Sequence, residues 1–405
     1  MLTHDLKTQT SDWPEITLGD VCTFRGGNGF RESHQGQTNG DHPFIKVSDL
    51  NLDGNEKFVR AAQNWVSAAA LRELRATLQP SGAVVFAKVG AALNLNRRRI
   101  LTQPTAIDNN MMAAIPDTQE LDGEFLYFFL LAQDLGKFSQ ESAVPSVNQG
   151  HLSSIEISLP PLTSQRKIAE ILRTWDEALE NLIALRAAKD KRLSVLRDCL
   201  LFGTLRTVKQ KPNWLLRRIS EVTYEITDRN GDMSFSRDLV MGVTNKRGIV
   251  PMREQTVAGD IARYKHLPPR AFAYNPMRIN VGSIAMNEAS GTVLVSPDYV
   301  VFGCNPDGIE PDYLDHLRKT PWWAHYINSG GSGSVRQRTY YADLAALRLP
   351  LPDIDEQRKI VAILNAAKAD LSSTEQMIEA LKLQKRGLMQ KLLTGEWRVN
   401  LEGVE

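Results

Sequence analysis

The sequence predicts two mixed α/β domains separated by two long helices that pack as an antiparallel coiled coil, with pseudo-two-fold symmetry. Three observations predict it. A fourteen-residue segment occurs twice, 192 positions apart. Each copy opens a stretch with an apolar seam whose spacings alternate between four and three residues. Each copy also follows a divergent region of short apolar runs bounded by turn residues.

The first domain is expected over 1–158. Ala83–Ala87 and Met111–Ile115 read as short strands. Phe125–Leu131 is a buried helix or strand, which periodicity alone does not decide. Ser153–Leu159 alternates at Ile155, Ile157 and Leu159, so a strand should lead into Pro160. Gly26-Gly27-Asn28-Gly29 reads as a loop.

The first repeated helix is expected over 159–206. Its opening, Leu159 to Leu172, matches Leu351 to Leu364 at eight of fourteen positions, among them Gln-Arg-Lys-Ile and the closing Ile-Leu. The same gapless offset pairs Leu200-Leu201 with Leu392-Leu393, Gly203 with Gly395, and Arg206 with Arg398. One seam runs through Ile168, Trp175, Leu182, Lys189 and Leu196, the other through Leu172, Leu179, Arg186, Leu193 and Leu200. Thr163 and Asp355 are suitable N-caps after Pro160 and Pro352, and the two glycines are suitable stops. About 40 residues make a rod of roughly 60 Å. Arg186, Lys189, Thr374 and Lys385 are polar seam positions; they either fix register or turn toward solvent.

The second domain is expected over 207–350. Leu294-Val295, Tyr299–Phe302 and the Leu347, Leu349, Leu351 alternation read as strands. Asp312–Ala324 reads as a helix interrupted near Pro321, with Trp322 and Trp323 as core or stacking residues. Ser329–Ser334 reads as a loop. A weak echo pairs Trp13, Leu18 and Val21 with Trp214, Ile219 and Val222 at offset 201. The second helix and tail fill 351–405. Its seams run through Ile360, Ala367, Thr374, Leu381 and Leu388, and through Leu364, Leu371, Ile378, Lys385 and Leu392. If the helices pair antiparallel, the chain is a dumbbell.

Composition bounds the function. A chain of 405 residues holds two or three domains. No apolar run reaches the roughly 18 residues of a membrane span, and Met1–Pro14 has no signal-peptide centre. Three distant cysteines make no disulfide framework, and no Cys/His pair has metal-ligand spacing. A cytoplasmic protein without membrane contact is expected. Net charge is +1, which excludes a bulk polycation; residues 1–158 carry −5 and residues 159–211 carry +5. The 30 arginines outnumber the 18 lysines, favouring planar, bidentate recognition.

Local clusters offer candidate nucleic-acid contacts, because Arg and Lys fit guanine edges and Asn fits adenine in a major groove. In the first domain they are Lys88, Asn94, Asn96, Arg97 and Arg98. In the second they are Asn245, Lys246, Arg278, Asn280, Arg336 and Arg338. For any one cluster, a solvated surface is the more ordinary reading.

Catalytic motifs do not occur. There is no G-x-x-x-x-G-K-[ST] loop, no G-x-S-x-G elbow and no H-E-x-x-H pair. Asn275-Pro276-Met277-Arg278 lacks the second proline and aromatic of an amino-methyltransferase pocket. Several Pro-Asp dipeptides occur, among them Pro116-Asp117, Pro297-Asp298 and Pro311-Asp312, and none is followed by a convincing acid-x-lysine at nuclease spacing. A recognition protein is expected rather than an enzyme.

The duplicated Leu-Pro…Gln-Arg-Lys-Ile…Ile-Leu entry, each copy behind a divergent domain, resembles the specificity (S) subunit of Type I restriction–modification systems. The resemblance covers nearly the whole chain. Glu356-Gln357 fits the family's usual helix start, whereas Ser164-Gln165 departs from it. Ser334–Tyr340 also resembles the end of the family's target-recognition domains.

The resemblance implies that each domain reads one half of a bipartite double-stranded DNA target, and that the helices set the spacer. It also implies that the helices dock two methyltransferase subunits, with Gln165, Arg166, Lys167, Gln357, Arg358 and Lys359 as candidate contacts. S-adenosylmethionine then belongs to the methyltransferase partners, ATP and Mg to the restriction/motor partners, and no cofactor to this chain. Isolated, the chain is expected to bind DNA weakly or unselectively. The alternatives are an adaptor holding two protein-binding modules apart, an enzyme with an unfamiliar site, and the specificity subunit of a fused restriction–methylation system.

Overall fold

The computed structural model describes residues 13–138, 145–208, 213–245, 247–329 and 338–400. They fall into two compact units. One is formed by the described residues within 1–182 and 377–405, the other by those within 183–376. Each long helix contributes to both.

In unit 1, strand Glu15–Thr17 pairs antiparallel with Glu156–Ser158. A five-stranded sheet has the order Cys22–Gly26, Met111–Pro116, Val84–Ala87, Arg98–Leu101, Phe58–Val59. A four-stranded sheet has the order Trp65–Val66, His42–Ile45, Thr105–Ile107, Leu78–Gln79. Every residue of Val84–Ala87 is buried, as its β-branched run requires of a central strand. Helix Gly123–Ala132 settles the sequence ambiguity. Asp122 caps it by accepting from the N–H groups of Glu124 and Phe125, and Phe125–Leu130 are all buried.

Unit 2 repeats this plan. Leu215–Arg218 pairs with Arg348–Leu351. One sheet runs Thr223–Glu225, Val300–Cys304, Phe272–Tyr274, Ile284–Met286. The other runs Gly248–Pro251, Val240–Thr244, Val293–Val295, Lys265–Leu267. The strands correspond in chain order and sheet order, save the additional Phe58–Val59 of unit 1. Even the parallel pair recurs: His42–Ile45 with Thr105–Ile107, and Val240–Thr244 with Val293–Val295. Helices Pro311–Leu317 and Pro321–Ser329 flank the expected interruption. Trp323 is buried in the core, and Trp322 stacks on Tyr326. The 201-offset echo marks equivalent residues: Leu18, Val21, Ile219 and Val222 are all buried.

The helices span Leu162–Leu201 and Ile354–Leu393, 40 residues each. Both start earlier than the expected caps. Asp353, not Asp355, caps the second helix by accepting from the N–H of Glu356, and Thr163 lies inside the first turn. A proline needs no hydrogen bond at its nitrogen, so the chain turns helical straight after Pro161. Gly203 and Gly395 stop the helices at φ 73° and 71°, in the left-handed region. The strand expected over Ser153–Leu159 is only Glu156–Ser158, because Asn148 caps a short helix, Gln149–Ser153.

Within each unit the two helical segments run antiparallel. In unit 1, Ile168 and Leu172 share a core with Met389, Leu392 and Leu393, and Lys385 bonds Asp176. In unit 2, Leu193 and Leu200 share a core with Ile360 and Leu364. There Lys189 donates to Asp370 (2.7 Å) and to Thr374 Oγ1 (2.9 Å), and Arg186 lies 3.7 Å from Glu375. The polar seam residues therefore pair across the seam and fix register. Among the described residues, no helix is long and apolar enough to cross a membrane, and no cluster of ligating side chains could hold a metal ion.

Candidate nucleic-acid interface

The first-domain cluster lies in the hairpin connection between Val84–Ala87 and Arg98–Leu101, and the structure turns much of it inward. Arg98 is completely buried, its guanidinium over the Phe86 ring at 5.0 Å. Two of its nitrogens have no hydrogen-bond partner, and burial holds its pKa down to about 10. Arg98 is thus a core residue of this fold, not a surface that DNA could reach. Strand alternation explains it: Arg98 pairs with Phe86 on the face that Ile100 also fills. Asn96 sits at φ 52° and donates to the carbonyl of Leu131 (2.8 Å), so it serves the turn and the helix end. Arg97 bonds Asn51. Asn94 is exposed and Lys88 half-buried.

The second-domain cluster is brought together. Arg278 and Asn280 lie in the connection between Phe272–Tyr274 and Ile284–Met286, the counterpart of the hairpin that carries Lys88 and Asn94. Asn245 reaches this connection, donating to the carbonyl of Val281 (2.7 Å). Arg338 is adjacent in chain to Thr339, whose N–H donates to Pro276 (3.0 Å). Arg278, Asn280, Arg338 and Arg247 are all exposed. A cleft of about 720 Å³ beside them is lined by Asn245, Arg247, Asn280, Arg318 and Lys368. Arg318 and Lys319 are committed to Asp315 and Lys368 to Glu288, which leaves Arg247 as its exposed, unpaired cation among the described residues. Lys246 and Arg336 lie outside the described residues.

The repeated Gln-Arg-Lys motif divides. Gln165 is buried. Its Oε1 accepts from the N–H of Asp122 (2.7 Å), and its Nε2 donates to the carbonyls of Glu120 and Pro160 (2.8 Å each). Gln357 is buried alike, accepting from Glu310 N–H (2.9 Å) and donating to Gly308 and Pro352 (3.2 and 3.0 Å). Asp122 and Glu310 precede equivalent helices, so each glutamine fastens a spacer helix to its domain. Neither amide faces outward for a partner, which corrects the expectation for both. Arg166, Arg358 and Lys359 are exposed; Lys167 is half-buried and pairs with Glu170 (3.0 Å).

Sequence reading missed a second fastening. Arg206 grips buried Glu356 through two 2.8 Å bonds, and its guanidinium lies 5.0 Å from the Trp214 ring. Trp214 also donates to Glu356 (3.1 Å). Hydrogen bonding from Arg206 holds the Glu356 carboxyl below its ordinary range. Unit 1 has the counterpart, Arg398 over Trp13 at 4.5 Å, but Ser164 stands where the carboxylate should be. Arg398 Nε is left buried without a partner. The paired repeats of Arg206 with Arg398 and of Trp13 with Trp214 were the available signal.

Known proteins share this organisation. Residues 10–186 match the family described as the Type I restriction modification DNA specificity domain. The putative Type I restriction enzyme MjaX specificity subunit of Methanocaldococcus jannaschii is 23% identical, over 72% of each chain. The Type I restriction enzyme EcoBI specificity subunit of Escherichia coli is 22% identical, over 96% of this chain and 86% of its own. Two solved structures share the fold. The Type I restriction–modification S subunit from M. genitalium has a TM-score of 0.53 at 13% identity, covering 97% of this chain and 98% of its own. A chain from a study of complex assembly and conformational transition of the type I R-M system has a TM-score of 0.58 at 17% identity, covering 97% and 100%. With the duplicated helix entry and the doubled domain plan, these likenesses make the chain similar, along nearly its whole length, to specificity subunits of Type I restriction–modification systems.

Proposed function

We propose that this chain supplies DNA sequence specificity to a Type I restriction–modification enzyme, each mixed α/β domain reading one half of a bipartite target. One observation carries the proposal. Two domains of divergent sequence are built to one topology and fastened by one glutamine device to two copies of one helix entry. That is the arrangement for two independent readers on a shared ruler. The adaptor reading leaves the common plan of the two divergent domains without a purpose.

The proposal gives the chain no catalysis of its own. Two methyltransferase subunits, holding S-adenosylmethionine, dock on the exposed faces of the helices, where Arg166, Arg358 and Lys359 are exposed and Lys167 is half-buried against Glu170. Restriction/motor subunits bring ATP and Mg. The setting is the cytoplasm, where the DNA is. Partners supply much of the phosphate neutralisation that the acidic first domain lacks, so the isolated chain selects its target poorly.

The test is a genome-wide map of methylated adenines in the source strain, with and without this gene. Loss of one split motif, two short blocks around a fixed gap, is the expected result. An unchanged map with expressed, active partners overturns the proposal. The ruler is tested by inserting one heptad after Leu182 and another after Thr374. The rise of about 10 Å should lengthen the gap by about 3 base pairs and leave both blocks intact. Altered blocks with an unaltered gap refute it.

A further inference from the structure

The hairpin connections that carry the two candidate clusters hold the same four-residue turn, 186 positions apart. Leu93-Asn94-Leu95-Asn96 corresponds to Ile279-Asn280-Val281-Gly282. The first residue is buried in both, Leu93 at 1% and Ile279 at 3% exposure. The asparagine is exposed in both. The third residue is an aliphatic side chain left in water, Leu95 at 56% and Val281 at 58%. The fourth is left-handed, Asn96 at φ 52° and Gly282 at φ 85°, and closes the turn by donating to the first residue's carbonyl (3.3 and 2.9 Å).

These turns are held firmly from beneath. Asn96 ties one to Leu131, and Asn245 ties the other to Val281. Asn94 and Asn280 have no side-chain hydrogen bond among the described residues, so their amides are available. An exposed aliphatic on a braced turn gains the fold nothing from burial. Recurrence of the pair in two otherwise divergent domains argues for a shared use. Exposed Arg278 and half-buried Lys88 in the same connections point to a polyanion rather than an apolar protein groove.

Resting on the specificity-subunit reading, we propose that Asn94-Leu95 and Asn280-Val281 are base-reading pairs. The amide takes the adenine N6/N7 edge, and the aliphatic group takes a thymine methyl, in the major groove of each half-site. An A·T pair presents that edge and that methyl group in the major groove.

The experiment uses the assembled enzyme, this chain with its methyltransferase subunits, and the split duplex found from the methylation map. Deoxyuridine replaces thymidine in one half-site at a time, removing only the methyl groups. Binding by the unmodified chain should weaken about 3- to 10-fold in each case, an apolar contact being a modest part of base discrimination. Leu95→Ala should abolish that sensitivity in one half-site and Val281→Ala in the other, with melting temperatures unchanged because both side chains are exposed. Asn94→Ala and Asn280→Ala should each relax one adenine in the methylation map. Indifference to uracil, or alanine variants that keep full sensitivity, overturns the inference. So do variants that lose methyltransferase subunits instead of base preference, since the turns would then face protein. A complex that selects no split duplex fails the specificity reading itself; one that selects a duplex but ignores the methyl groups fails only this inference.

Discussion

Replacing Gln165 with methionine keeps the shape of the side chain and removes all its hydrogen bonds. Three bonds of 2.7–2.8 Å go at once. At about 1 kcal/mol net for each, the direct loss is about 3 kcal/mol. The carbonyl of buried Pro160 is then stranded, which adds roughly 1–2 kcal/mol. The total is about 4–5 kcal/mol. For a unit of roughly 200 residues, that lowers the melting temperature by about 8–20 °C. Gln357→Met should cost less, because two of its three bonds are 3.0 Å or longer. Gln165→Glu should cost at least as much as Gln165→Met, since a buried carboxylate still accepts from Asp122 but sets an unpaired charge against two carbonyl oxygens. The assay is thermal unfolding of the full chain, followed by titration with the methyltransferase subunit. If Gln165→Met melts within 2 °C of the parent yet binds methyltransferase weakly, Gln165 is a docking residue and the fastening argument is wrong.

Ser164→Glu should supply Arg398 with the carboxylate that Arg206 already has, raising the melting temperature by a few degrees through a charge-assisted bond of roughly 1–2 kcal/mol. Ser164→Ala is the control, and a destabilised S164E refutes the correspondence. Glu356→Gln should melt lower at neutral pH. Because the folded carboxyl titrates below its ordinary value of 4.5, the pair's contribution is complete above that value and fades as pH falls through the folded value. Stability curves of parent and variant should therefore converge in acid; a constant gap from pH 7 to 3 refutes the linkage. Gly27→Ala should be strongly destabilising, by about 2 kcal/mol or more, because a Cβ there lies 1.9 Å from the carbonyl oxygen of Asp108. Urea unfolding checks it, and an unchanged midpoint would show that the strand edge yields.

Features that recur at a fixed offset were legible, because gapless register is a one-dimensional property. The helices, their glycine stops and the apolar seam are of this kind. The polar seam residues were visible but not their partners: whether Lys189 meets solvent or Asp370 depends on a residue 181 positions away. The common topology of the two domains was not legible, because strand order is set by pairing between distant segments whose side chains differ. Arg98 shows the limit from the other side. Arg97-Arg98-Arg99 reads as a solvated charge run, yet alternation through Arg98 and Ile100 places the middle guanidinium against Phe86. In unit 2 the equivalent position is Ile284, also buried. Strand alternation was the signal that could have flagged it, but a charge run conceals a strand from any hydrophobic pattern.

The fastening also accounts for the unequal divergence inside this chain. Gln165 touches the N–H of Asp122 and the carbonyls of Glu120 and Pro160; Gln357 touches the N–H of Glu310 and the carbonyls of Gly308 and Pro352. All six are main-chain atoms. A glutamine that grips only backbone holds any domain whose chain enters a helix at that place, whatever side chains it carries. Asp122 and Glu310 differ in type, as do Glu120 and Gly308, yet the contacts are the same. The helix side must keep glutamine, because no other side chain offers one acceptor and two donors at that length. The domain side has no such constraint, so its sequence is free to diverge. Grafting the second domain of a similar specificity subunit in place of residues 207–350 should therefore keep both glutamine fastenings. Such a chimera should melt as one folded chain and change only one block of the methylated motif. A graft that keeps its topology but unfolds would show that side chains, not main-chain atoms, make the joint.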